Sequence, residues 1–105
     1  MCVVEVRIES ELAALGEGTD LFDALVAARR ILEKQETLLG CNGSRREVFP
    51  SSMLRQATKG QRAYVLTMPR TSEKPPTVDI FDPAPNLTGV VTVDEQKAWF
   101  ECWLP

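Results

Sequence analysis

The sequence contains no histidine. That absence removes Ser-His and Cys-His nucleophile pairs, imidazole proton transfer and the usual zinc constellations, and leaves carboxylates, Lys and Tyr to serve as any acid or base. Cysteine is scarce as well: Cys2, Cys41 and Cys102 form no C-x-x-C pair. An odd set of three suits free thiols in a reducing compartment better than a disulfide framework. No apolar run approaches the ~18 residues of a membrane span, and "MCVVEVRIESEL" lacks the basic start and long apolar stretch of a secretory signal. We therefore expect a cytoplasmic protein with no membrane partner. Neither of the two glycine-rich phosphate-binding spacings, G-x-x-x-x-G-K-[ST] and G-x-G-x-x-G, occurs, nor does any internal repeat or low-complexity tract.

What is present describes an ordinary folded chain. At 105 residues, 44% hydrophobic and 26% charged, residues 1–105 suit one domain with one core. The net charge of −3 hides a block pattern. Residues 1–41 carry eight acids against four bases, residues 42–71 one against six, and residues 72–105 six against two. A basic island between acidic ends either steers a charged partner to one face or is neutralised within the surface itself.

Periodicity gives the elements. "CVVEVRIE" alternates, with Cys2, Val4, Val6 and Ile8 on one side, which predicts a half-buried strand. "SELAALGEGT" is read as a helical turn ending at Gly16. Asp20 then caps a helix over "LFDALVAARRILEKQ", where Leu21, Leu25, Ala28 and Leu32 form a stripe widened by Phe22, Val26 and Ile31. "TLLGC" reads as a buried strand stopped by an Asn42-Gly43 turn. Ser51 or Ser52 caps a short helix through "MLRQATK" that ends at Gly60, and "RAYVLTM" and "VDIF" are strands separated by the loop "PRTSEKPPT". "GVV" is a brief strand or an extended lead-in. Thr92 and Glu95 form a capping box for "DEQKAWFECWL", which places Trp99, Phe100 and Trp103 on one helical face. The order predicts an α+β fold: a single small mixed or antiparallel sheet of about four strands, two longer helices and one short helix.

Several residue groups invite a chemical reading. In "LLGCNGSRREVFPSSM" the arginines suggest an anion site, with Arg45, Arg46 and Arg55 holding the charge and Asn42 and Tyr64 beside them. The spacing favours an Asn-Gly turn leading to solvated arginines. Arg45, Arg46, Arg55, Lys59 and Arg62 could meet nucleic acid, but only Phe49 and Tyr64 lie near them for stacking and the pI near 4.9 argues against it, so no nucleic-acid partner is expected. Cys41 beside two arginines suggests an activated thiolate, yet a buried, inert packing cysteine fits better, and Cys102 next to Trp103 also reads as packing. Asp79, Asp82, Asp94 and Glu95 are dense enough to raise a divalent-ion site. Asp82-Pro83 is also a turn initiator, and Asp94-Glu95 sits where acids favour a helix dipole. We expect no metal and no cofactor, and we take those four acids as a surface for a basic protein partner.

The segments "LFDALVAARRILE", "LLGCNGSRREVFPSSM", "QRAYVL", "VDIFDP" and "VVTVDEQKAWFECWL" together resemble a group of small bacterial proteins, some of which serve as immunity proteins to polymorphic or contact-delivered toxins. Their pattern L-C-N-G-x-R-x-D-V-Y-P-S-G-M, then K-A-Y, F-D-P and T-V-E-E-Q, maps onto Leu39–Met53, Arg62–Tyr64, Phe81–Pro83 and Thr92–Gln96. Glu47 replaces Asp, Phe49 replaces Tyr, and Ser52 stands in place of Gly. The resemblance implies a non-enzymatic protein that binds a cognate toxin and occludes it. Electrostatic complementarity would then place Asp79, Asp82, Asp94 and Glu95 against a basic toxin. The alternatives are a small anion-binding or enzymatic domain built on the 41–55 loop, and a structural subunit that self-associates through Trp99 and Trp103.

Overall fold

A computed structural model describes all of residues 1–105. The chain opens as a two-stranded antiparallel hairpin, β1 (Cys2–Ile8) and β2 (Glu11–Gly18). Its two-residue turn, Glu9-Ser10, has φ of 52° and 72°. That is the left-handed pair whose twist matches two right-handed strands. The residues expected to make a helical turn form β2 instead. Ala14 and Gly16 face inward while Leu12, Leu15 and Glu17 face out, with Ala13 as an extra, bulged residue opposite Val6 and Arg7. The apolar spacing of "LAAL" suits either period, and pairing with β1 decides for the strand.

Helix α1 (Leu21–Glu33) starts where the sequence places it, with Asp20 accepting from Asp23 N at 2.8 Å. It lies unusually close on β2. A Cβ on Gly16 would stand 2.1 Å from Ala24 O, and one on Gly18 would stand 2.5 Å from the Asp23 Cβ. Two strand glycines thus let the helix backbone touch the sheet. Phe22, Ala24, Leu25, Ala28 and Leu32 are buried by that contact, while Ile31 remains exposed.

The second half holds a three-stranded antiparallel sheet in the order β3 (Val48–Phe49), β4 (Arg62–Val65), β5 (Thr77–Asp79). Between β3 and β4 runs the short helix α2 (Ser52–Thr58), capped by Ser51, whose hydroxyl accepts from Leu54 N at 3.1 Å. It ends on two left-handed residues, Lys59 and Gly60. The last helix, α3 (Val93–Trp103), carries the expected capping box: Glu95 N donates to Thr92 Oγ1 and Thr92 N to Glu95 Oε1, both at 3.2 Å.

The α+β architecture stands, its small sheet realised as five short strands divided between two antiparallel sheets. One apolar core joins them: Val4 and Ala14 from the hairpin, five residues of α1, Val48 and Ala63 from the second sheet, and Ile80 just after β5. "TLLGC" is not a buried strand. Leu38 and Gly40 are exposed, and only Cys41 pairs, in an isolated bridge to Pro83. "GVV" makes a single bridge, Val90 to Arg45, after a short 3-10 turn over Leu87–Gly89. No helix is long and apolar enough to cross a membrane.

Candidate functional site

The stretch that looks most like a site, "CNGSRREVFPSS", enters the core at its first turn and again at Val48 and Pro50. Asn42–Ser44 forms one 3-10 turn in which all three residues are buried. It is stitched into the fold by backbone bonds, from Asn42 N to Asp82 O (2.8 Å), Gly43 N to Ile80 O (2.9 Å), Arg46 N to Gly89 O (2.9 Å) and Val91 N to Ser44 O (3.0 Å). A Cβ on Gly43 would come within 2.4 Å of Leu25 Cδ2 and 3.2 Å of Ile80 O, so a larger residue here would have to displace the Leu25 side chain. The Asn-Gly turn expected here is present, and it is buried.

Two side chains that motif reading passed over hold this turn in place. Arg29 from α1, 2% exposed, donates from Nη1 to Gly43 O (3.0 Å) and Gln96 Oε1 (2.6 Å), and from Nη2 to Val91 O (2.9 Å). Gln96 from α3, 1% exposed, donates from Nε2 to Gly43 O, Arg45 O and Val48 O at 2.8–2.9 Å. No ion pair reaches the Arg29 guanidinium, and burial pulls its pKa below the ordinary arginine value, with the charge of Glu33 opposing that shift. A guanidinium is not deprotonated in proteins, so the charge stays and is answered by three oxygens of neutral groups. Glu33 also accepts from Val93 N at 2.9 Å, which fixes the start of α3 against the end of α1. No buried side-chain polar atom lacks a partner. This cluster is a fully satisfied polar network, the kind that specifies a unique packing.

The anion-site residues go separate ways. Asn42 Nδ2 donates to Asp79 O at 3.2 Å, and Asn42 Oδ1 accepts from Arg45 Nη1 at 3.2 Å. Arg45 is also paired with Glu47 at 2.9 Å. Arg46 is exposed and lies over the Trp99 ring at 5.9 Å. Arg55 pairs with Asp20 and Asp23 at 3.5 and 3.2 Å and covers the Phe22 ring. Tyr64 lines an apolar cleft of about 340 Å³ with Phe49, Leu66, Phe100 and Trp103. Only Asn42 and Arg45 are brought together, and of the six bases of the island Arg45 and Arg55 pair with acids while Arg46 and Arg70 lie over tryptophan rings and Arg62 bonds to Thr77.

The acidic quartet is likewise put to local use. Asp79 accepts from Gln61 Nε2 and Phe81 N, both at 2.8 Å. Glu95 closes the capping box. Asp94 is exposed and pairs with Arg30 at 3.2 Å, while the Asp82 side chain is exposed. No group of three or more acids or thiols gathers to hold a metal ion. Cys41 is half-buried with Sγ 3.5 Å from Ser44 Oγ, whereas Cys102, expected to pack, is exposed because it falls on the outer side of α3. Phe49, Phe100 and Trp103 stack in series, with centroids 4.0 and 5.9 Å apart.

The outer face of the hairpin is a surface feature that no sequence motif marks. The hairpin over residues 1–18 carries four glutamates against one arginine and so holds the whole net charge of the chain, the remainder being balanced. Its outer face sets an apolar residue against a charged one in each cross-strand pair: Val3 with Glu17, Leu15 with Glu5, Leu12 with Arg7. Val3, Leu12 and Leu15 are 51%, 50% and 41% exposed. The signal is in the sequence, but a helical turn ending at Gly16 and a charge summed over 41 residues both hide it.

No protein-family model matches the chain, and no curated protein is significantly similar to it.

Proposed function

We propose that this chain is a non-enzymatic, cytoplasmic immunity-type protein that neutralises a cognate protein toxin by stoichiometric binding and occlusion. The observation that supports this most is the hairpin face, where large apolar side chains stand exposed among glutamates. Apolar anchors inside a field of one sign are what a protein interface uses to hold and to steer a partner. A basic toxin is the partner such a face suits, and exposed Asp82 and Asp94 add to the same attraction from the other half of the chain. The buried Arg29–Gln96 network serves this role as scaffold, since a rigid surface loses little ordering entropy on association.

The reading is tested by co-expressing the chain with the product of the adjacent open reading frame. The expected result is rescue of growth and a one-to-one complex that survives moderate salt. A harmless neighbour that forms no complex overturns it. Within a complex, Asp82→Ala with Asp94→Ala is expected to slow association by roughly two- to fivefold at low salt and to leave dissociation nearly unchanged, as rim charges do.

A further inference from the structure

We propose that the free edge of β1 is an acceptor for an extended, basic segment of a partner protein, which adds to the hairpin as a third strand. The inference rests on the binding-protein reading above and names how the partner is held. β1 is hydrogen-bonded to β2 alone, and no backbone group of residues 1–18 bonds to any other part of the chain. The outward N–H and C=O groups of β1 are therefore an unpaired edge, a template for another strand. The extra residue of the bulge, Ala13, lies on β2, so pairing along Cys2–Val6 is regular.

Three observations say what kind of segment fits. Beside β1 lies an open cleft of about 300 Å³ lined mainly by apolar residues, Val4, Val6, Leu25, Leu39, Phe81 and Pro83. A strand laid against β1 would turn alternate side chains into this cleft, level with Val4 and Val6, and the others outward, level with Val3 and Glu5. Inward positions thus call for apolar residues. The outward positions run level with Glu5, whose carboxylate meets Arg7 at 3.3 Å, on a hairpin whose net charge is −3, which calls for Lys or Arg. That charge also disfavours a second copy of this chain as occupant, because two hairpins of like sign would be brought edge to edge. The occupant is an alternating basic and apolar strand.

The probe is an acetylated, amidated peptide of four Lys-Val repeats, with four Glu-Val repeats as control, titrated against the purified full chain by fluorescence anisotropy. Amide hydrogen exchange locates the contact. The expected result is saturable binding of the Lys-Val peptide alone, with slowed exchange confined to the outward amides of residues 2–6. Glu5→Lys, an exposed change, is expected to weaken binding roughly tenfold, whereas Glu36→Lys, the same charge change outside the hairpin, leaves it within about twofold. Equal binding of the Glu-Val peptide, equal effects of the two variants, slowed exchange elsewhere, or no binding overturns the proposal. Failure of the peptide with toxin protection retained removes edge addition alone. Peptide binding as described without protection removes the immunity reading alone.

Discussion

At the scale of single residues, Gln96 does the most. One carboxamide satisfies three carbonyls and accepts from a buried guanidinium. Gln96→Ala takes one of three acceptors from the buried Arg29 charge and removes the donor that three buried carbonyls share, at roughly 1–3 kcal/mol for each group left short, so a loss of about 3 kcal/mol is expected, read as a lower urea midpoint with the slope unchanged. Gln96→Glu keeps the acceptor toward Arg29 but turns a carboxylate oxygen toward three carbonyls, and it is expected to rescue little of that loss. Asp20, Ser51 and Thr92 were legible as caps because each bonds three residues along the chain. Gln96 was not, because its acceptors lie 48 to 53 residues away and a glutamine in "DEQKAW" looks like any helix surface residue. Cys102 was misassigned for the same reason, its exposure being set by which side of α3 meets the sheet. Ellman's reagent is expected to label Cys102 first, with half-buried Cys2 and Cys41 lagging behind.

At the scale of elements, the tight seating of α1 on β2 decides the hairpin half of the molecule. Gly16→Ala drives a methyl into Ala24 O and Ala28 N, both backbone atoms that cannot step aside. Overpacking of that kind costs about 3 kcal/mol, near the top of its usual range, and loss of the cooperative melt at ordinary temperature is the expected outcome. Gly89→Ala, with nothing within 4 Å of the new methyl, is expected to shift the midpoint negligibly, and equal effects at both positions would contradict the packing account. Helix positions were readable because caps and 3.6-residue spacing are local. Strand β2 was misread because its pattern L-A-A-L-G satisfies helical spacing, and the deciding partner, β1, comes into play only through the Glu9-Ser10 turn.

At the scale of the whole molecule, charge and its placement govern behaviour. With no histidine, no side chain of unperturbed pKa changes charge between about pH 5.5 and 8. Arg29 adds no slope there. Its pKa is lowered on folding, so its unfavourable contribution is fully present below the folded value and is relieved only as pH rises from that value toward the ordinary arginine value. The urea midpoint is therefore expected to stay flat from pH 6 to about 7.5, and a slope across that window would mean that another group is linked to folding. Association with a basic partner is expected to weaken with salt because the hairpin holds the whole net charge on an exposed ribbon.

The sequence by itself determined what local chemistry can determine: the α+β class, both long helices with their caps, the short helix, the exclusion of histidine chemistry, and an acidic first segment. These follow from neighbours within a turn or two of chain. Tertiary structure decided the rest. It divided the strands between two sheets, buried the Asn42–Ser44 turn and held it with Arg29 and Gln96, and sent Arg45, Arg46 and Arg55 to separate partners. It also left one strand edge and its apolar cleft open. Each of these depends on groups far apart in sequence meeting in one place, and burial and hydrogen-bond satisfaction are properties of that place rather than of any segment.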